Sequence, residues 1–144
     1  MKKTVYIICT LSIFFLIAAT TIKEEGEGIK FYEGTWQEAL NQSAKEHKLI
    51  FLDMTTSWCG WCKKMKQTTF VDKKVGMYFN KRFINVELDG EHGEGLRLVH
   101  KFGVSEYPTI LLLDKNENSM LMSEGYHDAD DLISLIKTAV KEKR

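Results

Sequence analysis

Apolar positions along this chain return with two distinct periods. Trp36, Ala39, Leu40 and Ala44 recur at helical spacing behind Thr35 and Glu38, which together form a capping box, and this predicts a helix over 35–46. The run KLIFLDM at 48–54 is unbroken and of strand length, as in a buried central strand. Residues 59–67 read as a helix with Lys63, Lys64 and Lys66 on its wet side and Met65 turned inward. Val75, Tyr78 and Phe79 mark a further helical segment between Asp72 and Asn80, and RFINVELD at 82–89 reads as a second buried strand. After the loop GEHGEG, Leu96, Val99, His100 and Phe102 define a helix that stops at Gly103. YPTILLLD and NSMLMSEG then read as two strands joined by a polar turn at 115–118, and Asp128 caps a last amphipathic helix running to Val140. Phe31 and Tyr32 suggest a short first strand.

A strand-helix-strand-helix order, followed by an antiparallel pair and a closing helix, implies an α/β domain: a central mixed sheet covered by helices on both faces.

The first residues stand apart. Lys2 and Lys3 precede an uncharged apolar run from Val5 to Ala19, and small residues close it at Ala18, Ala19, Thr20 and Thr21, which is the layout of a secretory signal. The run is short for a spanning helix, which needs about 20 apolar residues, although continuing it through Ile22 makes an uncleaved anchor feasible. Residues 1–22 are therefore expected to be a signal peptide or an N-terminal membrane anchor, 23–28 a charged linker, and 29–144 the folded domain, working in the periplasm or otherwise outside the cytoplasm. The chain of 144 residues, 44% apolar and 28% charged, has room for one domain with a real core. Its formal net charge is zero, so no basic face advertises nucleic acid. Membrane contact is expected only through the N-terminal segment, if it is uncleaved.

Of the three cysteines, Cys9 lies in the apolar leader, which leaves Cys59 and Cys62 within SWCGWCKKM at 57–65. A closed zinc site needs four ligands, usually as paired hooks, and there is no second CxxC, nor do His92, His100 and His127 make an H-x3-5-H pair. Soft Cu(I) suits two thiolates and a thioether from Met54 or Met65, although such methionines are more often core filler. A structural disulfide closing so short a loop would remove little chain entropy. The redox reading has a positive argument. The pair sits where a strand gives way to a helix, i and i+3 side chains share a helix face, and free N–H groups with a partial positive charge favour a thiolate at the helix start. Cys59 is accordingly expected to be the exposed nucleophile, and Cys62 the more buried resolving thiol. Asp53, near the end of the preceding strand, is either a strand-end carboxylate facing water or a buried acid with a raised pKa that takes the proton from Cys62. Pro108, the single proline, either opens a strand in the trans form or makes a cis Tyr107-Pro108 bond whose turn leaves backbone free for an extended substrate.

Taken together these residues resemble the thioredoxin superfamily, in particular its exported thioredoxin-like domains with an active site of the SWCGWCKKM type. The resemblance spans about Ile29 to Val140 and rests on LIFLDMTTSWCGWCKKM, the TTF after it, RFINVELD, FGVSEYPT and Gly125. It implies a thioredoxin-like fold with a mixed sheet of four or five strands, thiol-disulfide exchange, and a cis-proline at Pro108 facing the cysteines. The surface expected to meet substrate is Trp58, Gly60, Trp61, Tyr107 and Pro108. No cofactor and no metal is called for. Two residues depart from the usual pattern: Gly60-Trp61 replaces Gly-Pro between the cysteines, and the lysine that often neighbours the buried acid has no counterpart near Asn85 to Glu87. The expected partners are protein substrates carrying disulfides or thiols and, by resemblance, a membrane electron donor that keeps a reductase or isomerase-like exchanger reduced. Two rival functions are a copper-binding or delivery module built on Cys59 and Cys62, and a chaperone-like domain holding clients on Trp58, Trp61 and Tyr107.

Overall fold

The computed structural model describes residues 28–142. The expected leader and nearly all of the linker lie outside the described residues. Helix α1 (Trp36–Glu46) begins at Thr35, whose hydroxyl accepts the Glu38 N–H while the Glu38 carboxylate accepts the Thr35 N–H, so two orphan donors are satisfied reciprocally. Strand β1 (Leu49–Thr55) follows, then α2 (Gly60–Thr68) and α3 (Lys73–Arg82), the latter capped by Asp72. Strand β2 (Phe83–Asp89) leads to α4 (Gly93–Phe102), which stops at Gly103 in the left-handed region, φ 70°. Strands β3 (Thr109–Leu113) and β4 (Ser119–Glu124) precede α5 (Ala129–Glu142), at whose start Asp128 accepts the Asp131 N–H at 2.9 Å.

The sheet has four strands in the order β2-β1-β3-β4, with β1 and β2 parallel and the other two pairs antiparallel. A parallel pair cannot be closed by a hairpin, and α2 with α3 makes the crossover. Strand alternation then divides the core. Phe51 packs with Met65 of α2, Val75 and Phe79 of α3, and Leu132 and Ile136 of α5. Ile50, Leu52 and Met54 turn the other way, onto Trp36 and Ala39 of α1 and Leu98 of α4. Both faces of β1 and β3 are thus covered, which is why each reads as a continuous apolar run.

Phe31 and Tyr32 do not form a strand. Their segment is extended beside β2, with the Tyr32 N–H donating to the Asn85 carbonyl at 2.7 Å. The neighbouring backbone groups are taken by side-chain amides instead of a ladder: Asn80 Oδ1 accepts the Lys30 N–H and Asn85 Nδ2 donates to the Lys30 carbonyl.

Phe79 is fully buried between the rings of Phe51 and Phe83, with centroids 4.7 and 5.4 Å away. Phe79→Ala is expected to lower stability by about 3–5 kcal/mol, and Val71→Ala, at a site 59% exposed, to change it by under about 0.5 kcal/mol. Urea denaturation compares the two; equal losses would mean that this face is not the core.

Candidate active site

After β1 the chain turns through Thr56, Ser57 and Trp58 and enters α2. Cys59 keeps an extended backbone and caps that helix, its sulfur accepting the Cys62 N–H at 3.0 Å. The helix therefore begins at Gly60, one residue later than the spacing predicts. Cys59 and Cys62 are joined in a disulfide with their Cα atoms 5.3 Å apart. The pair sits at the first helical turn, whose N–H groups have no intrahelical acceptor, and negative charge on sulfur is favoured there. The expected difference in exposure is not found: Cys59 is 4% exposed and Cys62 1%. The bonded sulfurs lie against the helix start, and the exposed groups beside them are Trp58 at 64% and Trp61 at 56%.

Each tryptophan is held by a second aromatic ring. Trp58 donates its indole N–H to the Glu91 carboxylate at 3.0 Å and meets Tyr107 edge-on at 6.0 Å. Tyr107 lies so close to Gly90 that a Cβ there would collide with its ring. Burial raises the Tyr107 pKa, and the nearby carboxylates of Glu91 and Asp89 add to this. Trp61 tilts against Tyr126 at 5.4 Å, and the Lys64 ammonium stands over both rings at 4.7 and 4.9 Å. A Cβ on Gly60 would meet nothing within 4 Å, so the residue between the tryptophans leaves the approach open.

The Tyr107-Pro108 bond is cis. The turn around it is tied to the end of β4: the Pro108 carbonyl accepts the Gly125 N–H at 2.8 Å, and the Glu124 carboxylate accepts the Ser105 N–H, the Ser105 hydroxyl and the Glu106 N–H.

Asp53 lies on the sheet face of Phe51, which α2 covers. It is 1% exposed, and neither carboxylate oxygen has a hydrogen-bond partner in the protein. Burial pushes its carboxyl up to about 7 from an ordinary 3.8, Glu87 pushes in the same direction, and Lys66 opposes them. The positive charge sought near Asn85 to Glu87 comes instead from the helix, where Lys66 pairs with Glu87 at 2.8 Å. Met54 and Met65 are both fully buried and pack into the cores on opposite faces of the sheet, where each fills core space.

Glu91, Glu124, Tyr126, Lys64 and the Lys66–Glu87 pair escaped the sequence reading. Lys66 alone carried a usable signal, since it follows Cys62 by one helical turn.

Comparison with known proteins gives the family. A thioredoxin-like domain model matches residues 36–139. The chain belongs to the thioredoxin-like domain family. The thiol:disulfide interchange protein DsbD of Haemophilus influenzae is 31% identical over 114 residues, covering 76% of this chain and 20% of DsbD, so the chain spans about one fifth of that curated relative. A solution structure from Bacteroides thetaiotaomicron, of a candidate disulphide-isomerase, is 39% identical with a TM-score of 0.73 and covers 81% of this chain and 96% of its own. The oxidised C-terminal domain of DsbD from Neisseria meningitidis shares the fold at 22% identity, with a TM-score of 0.62, 76% of this chain and 99% of that one covered. Relatives and disulfide together support thiol-disulfide exchange as the chemistry of the Cys59/Cys62 pair of this thioredoxin-like domain.

The raised Asp53 pKa has a consequence for stability. A carboxyl whose folded value lies above its unfolded value contributes stability that is complete below about pH 4 and lost as pH rises through about 7. With about 3 pH units between the two values and about 1.4 kcal/mol per unit, the loss is on the order of 4 kcal/mol. Asp53→Asn is expected to remove it, making the oxidised variant more stable than wild type at pH 8 with an advantage that fades toward pH 4. Denaturant curves across that range check this; a difference that does not vary with pH would place the Asp53 carboxyl in water.

Proposed function

We propose that this protein is an extracytoplasmic thiol-disulfide oxidoreductase that reduces or rearranges disulfides in protein substrates. The observation that carries this reading is the Cys59–Cys62 disulfide at the start of α2, with the buried Asp53 carboxyl on the sheet face that α2 covers. In the reduced form, the Cys59 thiolate attacks a substrate disulfide, forming a mixed disulfide and releasing one substrate sulfur as thiolate. Cys62 then gives its proton to the Asp53 carboxylate and attacks Cys59 Sγ. The Cys59–Cys62 bond forms, the second substrate sulfur leaves, and two electrons have passed from the protein to the substrate. Asp53 suits the proton step because a carboxyl near 7 is divided between its two forms at neutral pH.

The substrate lies across Gly60 and Pro108, between the Trp58/Tyr107 and Trp61/Tyr126 pairs, which supply apolar area with few rotors to immobilise. Repeated turnover needs a dithiol donor to restore the thiols, and a membrane-bound one fits a chain exported by residues 1–22 and held or released through the linker 23–28. The relatives are named for disulfide interchange and disulphide isomerisation, and we read the direction here as reducing or isomerising. A reduction potential for the pair near about −270 mV agrees with it, whereas one near about −120 mV makes the protein an oxidant.

Cys59→Ser is expected to abolish disulfide reduction, and Cys62→Ser to attack but stall as a mixed disulfide that traps partners. Full turnover by the first variant with no adduct on the second would reverse the roles. Asp53→Asn is expected to slow resolution of the mixed disulfide at pH 7 by about 10²-fold, the low end for general-base catalysis, and to change the first attack less. Rapid-mixing measurement of both steps decides; resolution at the wild-type rate removes Asp53 from the reaction. Client binding that survives loss of both thiols would instead favour a holding role for the exposed Trp58 and Trp61.

A further inference from the structure

Asp53 does not stand alone on its face of the sheet. In the parallel register of β1 and β2 its partner is Glu87, and register partners on adjacent strands, roughly 4.8 Å apart, project to the same side. Lys66 comes down from α2, where it follows Cys62 at i+4 and so shares its helix face. Its ammonium meets the Glu87 carboxylate at 2.8 Å, and the two side chains are 40% and 31% exposed. One ion pair thus joins the helix that carries Cys62 to the sheet that carries Asp53, with one member drawn from each.

The remaining surroundings of Asp53 are uncharged. β3 contributes its register partner Ile110, and α3 and α5 contribute Val75, Phe79, Leu132 and Ile136 to the core of this face. Asp89, at the end of β2, is turned to the Glu91 N–H and the His92 ring. Among the described residues, the charges that act on Asp53 are Glu87 and Lys66, with opposite sign.

We propose that Lys66 and Glu87 are positioning residues for the proton step, a charge pair that sets the pH at which Asp53 accepts the proton of Cys62. Each member biases the same equilibrium. Glu87 disfavours a second negative charge beside it and holds Asp53 protonated, while Lys66 favours the carboxylate. Burial brings the midpoint up toward neutrality, and their pairing keeps the two opposed biases close to balance about it. The step itself is unchanged: the Cys62 proton passes to the Asp53 carboxylate as sulfur attacks Cys59, and Asp53 afterwards returns it to water. This inference rests on the reading of Asp53 as the base for Cys62.

The test is the titration of the Asp53 carboxyl, followed by its 13C chemical shift in the reduced full-length chain, beside the pH profile of mixed-disulfide resolution. Glu87→Gln is expected to lower the midpoint by about one pH unit and Lys66→Gln to raise it by about as much, a roughly tenfold change in ionisation each way. The resolution profile should move with it, and the double variant should return close to wild type. A purely structural role would act differently, since loosening this edge admits water to Asp53 and lowers the midpoint in both single variants. Shifts of the same sign, absent shifts, or a resolution profile that ignores them would overturn the proposal. These failures are separable from failure of the base itself: if Asp53→Asn resolves at the wild-type rate the base reading falls and this one with it, whereas dependence on Asp53 with unmoved midpoints removes only the pair.

Discussion

Strand β1 is hydrogen-bonded along both edges and covered on both faces, so each side chain in its interior is withdrawn from water. Six of its residues answer with apolar or hydroxyl-bearing side chains. Asp53 does not, and the cost of ionising it there is the electrostatic constraint on which the site turns. The same strand ends at Thr55 and delivers Cys59 to the first turn of α2. A single stretch of backbone thus fixes an acid that resists losing its proton beside a helix start that favours thiolate.

Outside that buried pair of demands, the surface is arranged for contact. Two indoles are exposed, yet neither swings free: Trp58 is anchored through its N–H to Glu91 and Trp61 lies under Lys64 against Tyr126. Rigid aromatic area lowers the ordering cost of binding, and the open space over Gly60 lets a chain approach without meeting a side chain there. The exposed aromatic rings and the buried disulfide therefore lie at different depths of one region.

Much of this was readable from the residues. The uninterrupted apolar runs of β1 and β3 announced strands covered on both sides, and Asp53 stood out because it broke one of them. The two cysteines, their helix and the proline before TILLL were equally plain. What could not be read depended on pairing across distance. That Glu87 faces Asp53 is a matter of strand register, and that Glu91 and Tyr126 support the tryptophans depends on how two loops return to the helix. Phe31 and Tyr32 look like a strand because their aromatic side chains suit one, while the amides of Asn80 and Asn85, far along the chain, are what hold their backbone in place. Cys59 is less exposed than a helix-capping thiol suggests, since exposure depends on neighbours that spacing does not reveal.

Glu124 closes an exposed strand, yet it takes three hydrogen bonds from Ser105 and Glu106, and the next N–H, of Gly125, holds the Pro108 carbonyl. Tolerance to sequence drift is therefore uneven along β4. Its exposed residues Ser119 and Met122 can change with little effect beyond their own surroundings, whereas replacement of Glu124 would release the turn that sets Tyr107 against Trp58. An edge that looks peripheral in the sheet is, at one end, what holds the cis-proline turn in place, and the shape of that turn can drift through it without any change to the cysteines themselves.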